Sequence, residues 1–196
     1  AMDADNIKAV IAKHDIDFAM NACDPRMNET IFDTCLAAKI GYLDCAMTLG
    51  TEHPEKPYEL PNIKLGDYQF AKQKEWEASG KIAICGSGVE PGMADVFAKY
   101  AAKHLFDKID EVNVRDGDNY GNTDSDFGFS VWTTIEECLQ PPVIWEKNEE
   151  HPEGHWFCTE QFSEPEIFNF PGGIGDVEVI NVEHEEVLLV PREIDC

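Results

Sequence analysis

Along the first hundred residues, short continuous apolar runs alternate with apolar positions set at helical spacing. A short helix capped by Asp5 or Asn6 is expected through Lys13, and Ile16 to Cys23 is a mostly apolar run ending in the polar stretch NACDPR. Such a run predicts a buried strand that opens into a loop. From Asn28 onward, Ile31, Phe32, Cys35, Leu36 and Ile40 fall on one helical face, with Gly41 as the stop. Tyr42 to Thr48 predicts the next strand, and the proline-punctuated EHPEKPYELPNIKLG a loop. Asp67 then caps a helix with Phe70, Ala71 and Trp76 inward and Gly80 closing it, ahead of a strand over Lys81 to Cys85. Beyond CGSGVEPG, a helix carries Met93, Val96, Phe97, Tyr100, Ala101, His104 and Leu105 as one apolar stripe.

Strands and helices that alternate through short connections predict a parallel sheet with right-handed crossovers. After Phe106 the rhythm changes. DEVNVRDG, FGFSVWT, PPVIWE, HWFCTE, EIFNF and DVEVINV are short aromatic or β-branched runs between glycine, proline and acidic turns, with one short helix over Thr133 to Leu139. The expected fold class is therefore α/β. The C-terminal half of a Rossmann-type parallel sheet, residues 1–106, precedes an α+β mixed-sheet domain, residues 107–196.

Composition narrows the partners. Of 196 residues, 39 are acidic and 15 basic, a formal net charge of −24, which argues against nucleic acid or an anionic membrane surface as a ligand. No apolar run approaches the length of a membrane span, and the N-terminal residues carry no secretion signal. Seven cysteines without a C-x-x-C pair indicate neither a disulfide framework nor a zinc ribbon, and reduced thiols fit the cytoplasm. Cys23, Cys45 and Cys85 approach successive strand ends, but a fourth zinc ligand has no place, so no metal is expected. Asp116 to Asp126 fails the EF-hand pattern, because Tyr120 and Phe127 stand where ligands are needed.

The glycine loop is the most pointed chemical signal. Gly86, Gly88 and Gly92 lie between strand and helix, as a pyrophosphate-binding loop would, but Pro91 removes one N–H donor from the cradle. The region that follows also stops alternating. In an open parallel sheet, ligands sit beyond the carboxyl ends of the strands. Asn21 to Arg26, Ala46 to Thr48 and Gly86 to Gly92 are three such ends, so the loop reads as the last rim loop of a nucleotide-binding sheet whose first phosphate loop is not in this chain.

The opening DADN, the stretch NACDPRMNETIFDTCLAAKIGYLDCAMT and above all GVEPGMADVFAKYAAKHLFDKIDEVNVRDG resemble the saccharopine dehydrogenase-like oxidoreductases. WTTIEECLQPPVIWE and VEVINVEHEEVLLVPR extend the resemblance over nearly the whole chain. It implies hydride transfer between NAD or NADP and a carbon–nitrogen bond of a small amino acid derivative, in a homo-oligomer. It places Asn21, Ala22, Asp24 and Pro25 beside the nicotinamide ribose, with Ala46, Met47, Thr48, Gly86 and Gly88 along the same rim. Arg26, Glu90, Pro91 and Gly92 would meet substrate.

Glu90 is the candidate catalytic acid, although an acid at a helix N-terminus also serves as an ordinary cap. Some members carry an acid shortly after the second strand, where this chain reads Leu49 to His53, which leaves the proton donor open. A polycarboxylate substrate would need guanidinium clamps, for which Arg26, Arg115 and Arg192 are available. The alternative is a non-catalytic binding or assembly module that keeps the fold.

Overall fold

The computed structural model describes residues 2–117 and 130–196. Helix α1 (Ala4–His14) is capped by Asp3, whose carboxylate accepts from the N–H groups of Asp5 and Asn6, two residues ahead of the expected cap. Strand β1 (Phe18–Asn21), helix α2 (Asn28–Ala38) and strand β2 (Gly41–Asp44) follow. Lys39, in the left-handed conformation at φ 55°, ends α2 in place of Gly41. Gly41 instead opens β2 against β1, where a Cβ would lie 2.4 Å from the Phe18 ring.

The stretch read as a plain loop holds a small antiparallel ribbon, β3 (Thr51–Glu52) with β4 (Pro61–Ile63). Helices α3 (Asp67–Ala71) and α4 (Gln73–Ser79) are the predicted single helix broken at Lys72, and Gly80 closes the pair as expected. Strand β5 (Ala83–Ile84) completes a parallel sheet in the order β1-β2-β5, with Ala19 beside Tyr42 and Tyr42 beside Ala83. Ile31, Phe32, Cys35, Ile40, Tyr42 and Trp76 form its core. Phe32 meets Tyr42 edge-on at 5.1 Å and Trp76 at 5.0 Å. Burial of each large side chain contributes roughly 1.5–3 kcal/mol.

Helix α5 (Met93–His104) forms where the stripe predicted it, yet Val96, Phe97 and Tyr100 are more than half exposed. The second region departs further from expectation. Residues 110–117 run without a strand partner, Val131 to Thr133 open helix α6 (Val131–Leu139), and residues 118–129 lie outside the described residues. That gap takes in much of FGFSVWT and most of the acidic stretch Asp116 to Asp126. Among the described residues the strands of this region pair as two antiparallel ribbons, β6 (Val143–Glu146) with β7 (His155–Cys158) and β8 (Glu166–Phe170) with β9 (Gly175–Val179). Helix α7 (Glu186–Glu193) ends the chain. Leu65, Val143, Cys158 and Leu188 form a second core, so the segment between β2 and α3 packs onto the later region. No helix among the described residues is long and apolar enough to cross a membrane.

Candidate functional site

The three strand ends do lie on one rim, and a buried polar bracket fixes them. Asn21, 3 % exposed, donates from Nδ2 to Asn28 Oδ1 (2.7 Å) and to the Tyr42 hydroxyl oxygen (3.1 Å). Its Oδ1 accepts from the Cys23 N–H, while Asn28 Nδ2 reaches the Ala46 carbonyl at 2.7 Å. The Tyr42 hydroxyl donates to Asp44 Oδ2 at 2.9 Å, and Gln69 Nε2 donates to the same oxygen. Asp44 Oδ1 accepts from the Gly86 N–H at 2.7 Å, and Gln69 Oε1 accepts from the Thr48 N–H at 2.9 Å. Burial raises the Asp44 carboxyl above its ordinary range, against the pull of these donors, and burial raises the Tyr42 hydroxyl as well.

The glycine loop is a closed turn. Gly88 N–H bonds the Pro91 carbonyl (2.7 Å), Gly86 N–H is taken by Asp44, and Gly92 N–H bonds Asp95 Oδ2 (2.9 Å). All three glycine N–H groups are spent inside the protein, so the loop offers none of them to a phosphate. At Gly92, φ is 126° and a Cβ would fall within 3 Å of backbone atoms of Gly86 and Gly88, which accounts for glycine there.

Over the rim lies a cavity of about 890 Å³, in the size range of small-molecule sites. Of the residues placed by the resemblance, Ala22, Asp24, Pro25, Ala46, Met47, Gly88, Glu90 and Pro91 line it. Asn21, Arg26, Thr48, Gly86 and Gly92 do not. Asn21, Thr48 and Gly86 serve the bracket beneath, with the Asn21 amide and the Thr48 and Gly86 N–H groups engaged there, so a direct ribose contact from the Asn21 amide has no free donor.

The facing wall comes from the second region: Thr133, Thr134 and Glu137 of α6, and Glu183, His184 and Glu185 ahead of α7. Glu185 Oε1 accepts from the Met47 N–H at 2.9 Å and so ties this wall to the rim.

The cavity is acidic. Burial, with the Glu186 charge second, pushes Glu90 up to about 6. Burial pushes Glu183 up to about 7, helped by Glu185 and Glu52, and it raises Glu137 and Glu185 as well. His184 is the one basic side chain among the described residues that line the space. Burial alone would lower its pKa, but the hydrogen bond and charge of Glu186, with Glu185 and Glu137, hold it up at about 9.

None of the three arginines considered as substrate clamps faces this space. Arg26 forks onto Asp24 at 2.7 and 2.6 Å, Arg115 pairs with Glu166 at 2.8 Å over the Phe168 ring, and Arg192 lies over the Phe70 ring at 3.7 Å. Cys23, Cys45 and Cys85 are free thiols and do not converge. The described group whose ligand atoms do converge, all within 4.8 Å of one another, is Glu90, His184 and Glu186. The sequence reading singled out Glu90 but passed over His184. Its signal was the run VEHEE, a histidine packed among glutamates.

A cavity beyond the carboxyl ends of a parallel sheet, entered past small rim residues, is the arrangement of a dinucleotide-binding fold. Residues 1–84 match the family model described as the saccharopine dehydrogenase NADP binding domain. Over 191 residues the chain is 33% identical to the carboxynorspermidine synthase of Vibrio alginolyticus, covering 95% of this chain and 43% of that protein. The carboxynorspermidine synthase of Vibrio cholerae is 30% identical over 189 residues, 95% of this chain and 43% of its own length. The carboxyaminopropylagmatine dehydrogenase of Synechocystis is 31% identical over 173 residues, 87% of this chain and 39% of its own. Residues 1–84 thus carry the NADP binding domain of the saccharopine dehydrogenase family, and the chain spans less than half the length of these curated relatives.

Proposed function

We propose that the chain contributes the nicotinamide end of the cofactor site and one wall of the substrate site to an NAD(P)-dependent oxidoreductase. The enzyme transfers a hydride to or from the carbon–nitrogen bond of an amino-bearing amino acid derivative, interconverting imine and amine. The observation that carries this reading is the acidic cavity on the rim of the parallel sheet, with its carboxylates raised and no arginine turned into it. Such a wall disfavours a polycarboxylate and favours protonated amines, and the relatives are named for carboxynorspermidine and carboxyaminopropylagmatine. Residues 1–106 act as the cofactor portion and residues 107–196 as the start of the substrate portion.

Ala22, Ala46 and Gly88 keep the rim low enough for a flat ring, and the bracket below holds their loops in place. Bound NAD(P)H supplies the hydride; the protein supplies placement, exclusion of water and a route for the proton. The reading extends to a homo-oligomer in the cytoplasm, for which the seven free thiols suit a reducing compartment.

The test is made on the complete gene product. Nicotinamide fluorescence should report NAD(P)H binding, and NAD(P)H should be consumed when a diamine and a short carboxylated aldehyde are supplied together. Binding of cofactor without turnover on any amine–aldehyde pair would favour the non-catalytic module instead.

A further inference from the structure

Every reduction of a carbon–nitrogen double bond needs a proton as well as a hydride, and the cavity wall holds one nitrogen acid. His184 lines the cavity with its side chain 22% exposed, between α6 and α7. Its Nδ1 is hydrogen-bonded to the Glu186 carboxylate, which is itself 5% exposed, and lies 3.5 Å from Glu185 Oε2. Its Nε2 stands 4.0 Å from Glu137 Oε1, too far for a hydrogen bond, and has no other partner among the described residues. One ring nitrogen is therefore pinned by a buried carboxylate. The other is left on the side of the cavity-lining Glu137, which is the geometry of an oriented proton carrier.

We infer that His184 is the residue that exchanges the proton with the substrate nitrogen, and that Glu186 is its positioning residue; this rests on the oxidoreductase reading above. In the amine-forming direction the imine carbon gains the hydride and its two electrons, and the carbon–nitrogen π bond is lost. The nitrogen takes the proton from Nε2. Neutral imidazole is left and is reprotonated from solvent. In the reverse direction the same nitrogen accepts the proton as the hydride leaves.

The groups facing His184 come from several elements. Glu90 reaches it from the glycine loop, Asp95 from α5 and Glu137 from α6; Glu183, Glu185 and Glu186 flank it in sequence, and Asp116, from the segment after α5, lines the same cavity and acts on Glu90 and Glu137. Their charge keeps the imidazolium protonated at neutral pH, where Glu90, held near 6, is mostly ionised and suited to accept rather than donate. Glu90 then counters the positive charge of an approaching amine.

The experiment compares wild type, His184→Gln and Glu186→Gln in the complete gene product. His184→Gln should lower kcat in the amine-forming direction about 100-fold or more. Nicotinamide fluorescence should change by less than about twofold in Kd, because the histidine is not a cofactor anchor. Independently of turnover, NMR of the cofactor-free wild type should show the His184 imidazole titrating near 9, and Glu186→Gln should move it down. The alkaline limb of the pH–rate profile should follow by the same amount.

Turnover of folded His184→Gln within about threefold of wild type would overturn the assignment. So would a wild-type imidazole that titrates below 7, even if no variant could be purified folded. A wild-type protein that binds no NAD(P)H would refute the oxidoreductase reading first, and this inference with it.

Discussion

Replacing Asp44 by alanine tests whether the polar bracket sets the rim. The carboxylate receives three buried donors, the Gly86 N–H, the Tyr42 hydroxyl and Gln69 Nε2. The Gly86 N–H and the Tyr42 hydroxyl have no other acceptor among the described residues, and Gln69 Nε2 has only a long contact to Cys85 Sγ at 3.4 Å. The Tyr42 oxygen's other neighbour is the donor Nδ2 of Asn21, and Gln69 cannot flip its amide without losing the Thr48 N–H. Each stranded donor costs about 1–3 kcal/mol. Relief of the carboxylate's own burial, visible as its raised pKa, offsets part of that. The expected net loss is about 3–5 kcal/mol, or roughly 6–20 °C in melting temperature for a domain of this size.

Tyr42→Phe leaves the carboxylate two donors but also takes an acceptor from Asn21 Nδ2, so it should cost about 1–3 kcal/mol. The double variant should fall short of the sum by about 0.5–3 kcal/mol, because both changes break one network. Urea denaturation followed by tryptophan fluorescence measures all three. An Asp44→Ala protein within about 1 kcal/mol of wild type, or strict additivity with Tyr42→Phe, would refute the bracket.

Two further outcomes follow from the same structure. Burial raises Glu90 to about 6 and Glu183 to about 7 from an ordinary 4.5, so each contributes stability below about 4.5 that is lost as pH rises through its folded value. Glu183→Gln should therefore raise the melting temperature at pH 8 and leave it nearly unchanged at pH 4.5, and an equal gain at both pH values would count against a buried charge there. Gly92→Ala forces a side chain into the left-handed region and onto the backbone of Gly86 and Gly88, whereas Gly172, at φ 73°, has nothing within 4 Å. By calorimetry, Gly172→Ala should cost about 1 kcal/mol and Gly92→Ala at least about 2–3 kcal/mol; equal costs would mean the loop yields.

The parallel sheet was legible because its strands are apolar runs and its helices carry apolar faces, and both periods survive in one sequence without help from distant contacts. Boundaries were harder. Gly41 looked like a helix stop, but Lys39 takes the left-handed position and the glycine is needed two residues later for the approach of Phe18. In the second region the described strands pair as ribbons and Val131 to Thr133 open a helix, because aromatic and β-branched runs look alike in a sheet, in paired ribbons and in a helix start. Eight of the thirteen rim candidates line the cavity. Asn21, Thr48 and Gly86 fall just short of it for one reason: polar residues at strand ends signal both ligand contacts and the hydrogen bonds that hold a rim together. Nothing local says that Asp44 and Gln69, 25 residues apart, share a hydrogen bond. His184 escaped notice because its meaning depends on α6 and the glycine loop, neither of which adjoins it in sequence.

The two halves of the site thus differ in kind. On the rim side, Asn21, Asn28, Asp44 and Gln69 satisfy one another and the loop N–H groups, which leaves a rigid, small-residue floor with little charge to offer. On the facing wall, Glu137, Glu183 and Glu185 crowd together around one imidazole, with Glu90 reaching towards them from the glycine loop, and burial first and neighbouring carboxylates second raise all four pKa values. A rigid floor suits a cofactor whose position must not vary, since misplacement of the reacting atoms by an ångström is expensive. A crowded acidic wall suits a substrate that brings its own positive charge, because binding then relieves repulsion already present. Among the described residues one hydrogen bond, from the Met47 N–H to Glu185, joins the two, so the acidic wall is held at a fixed distance from the rim.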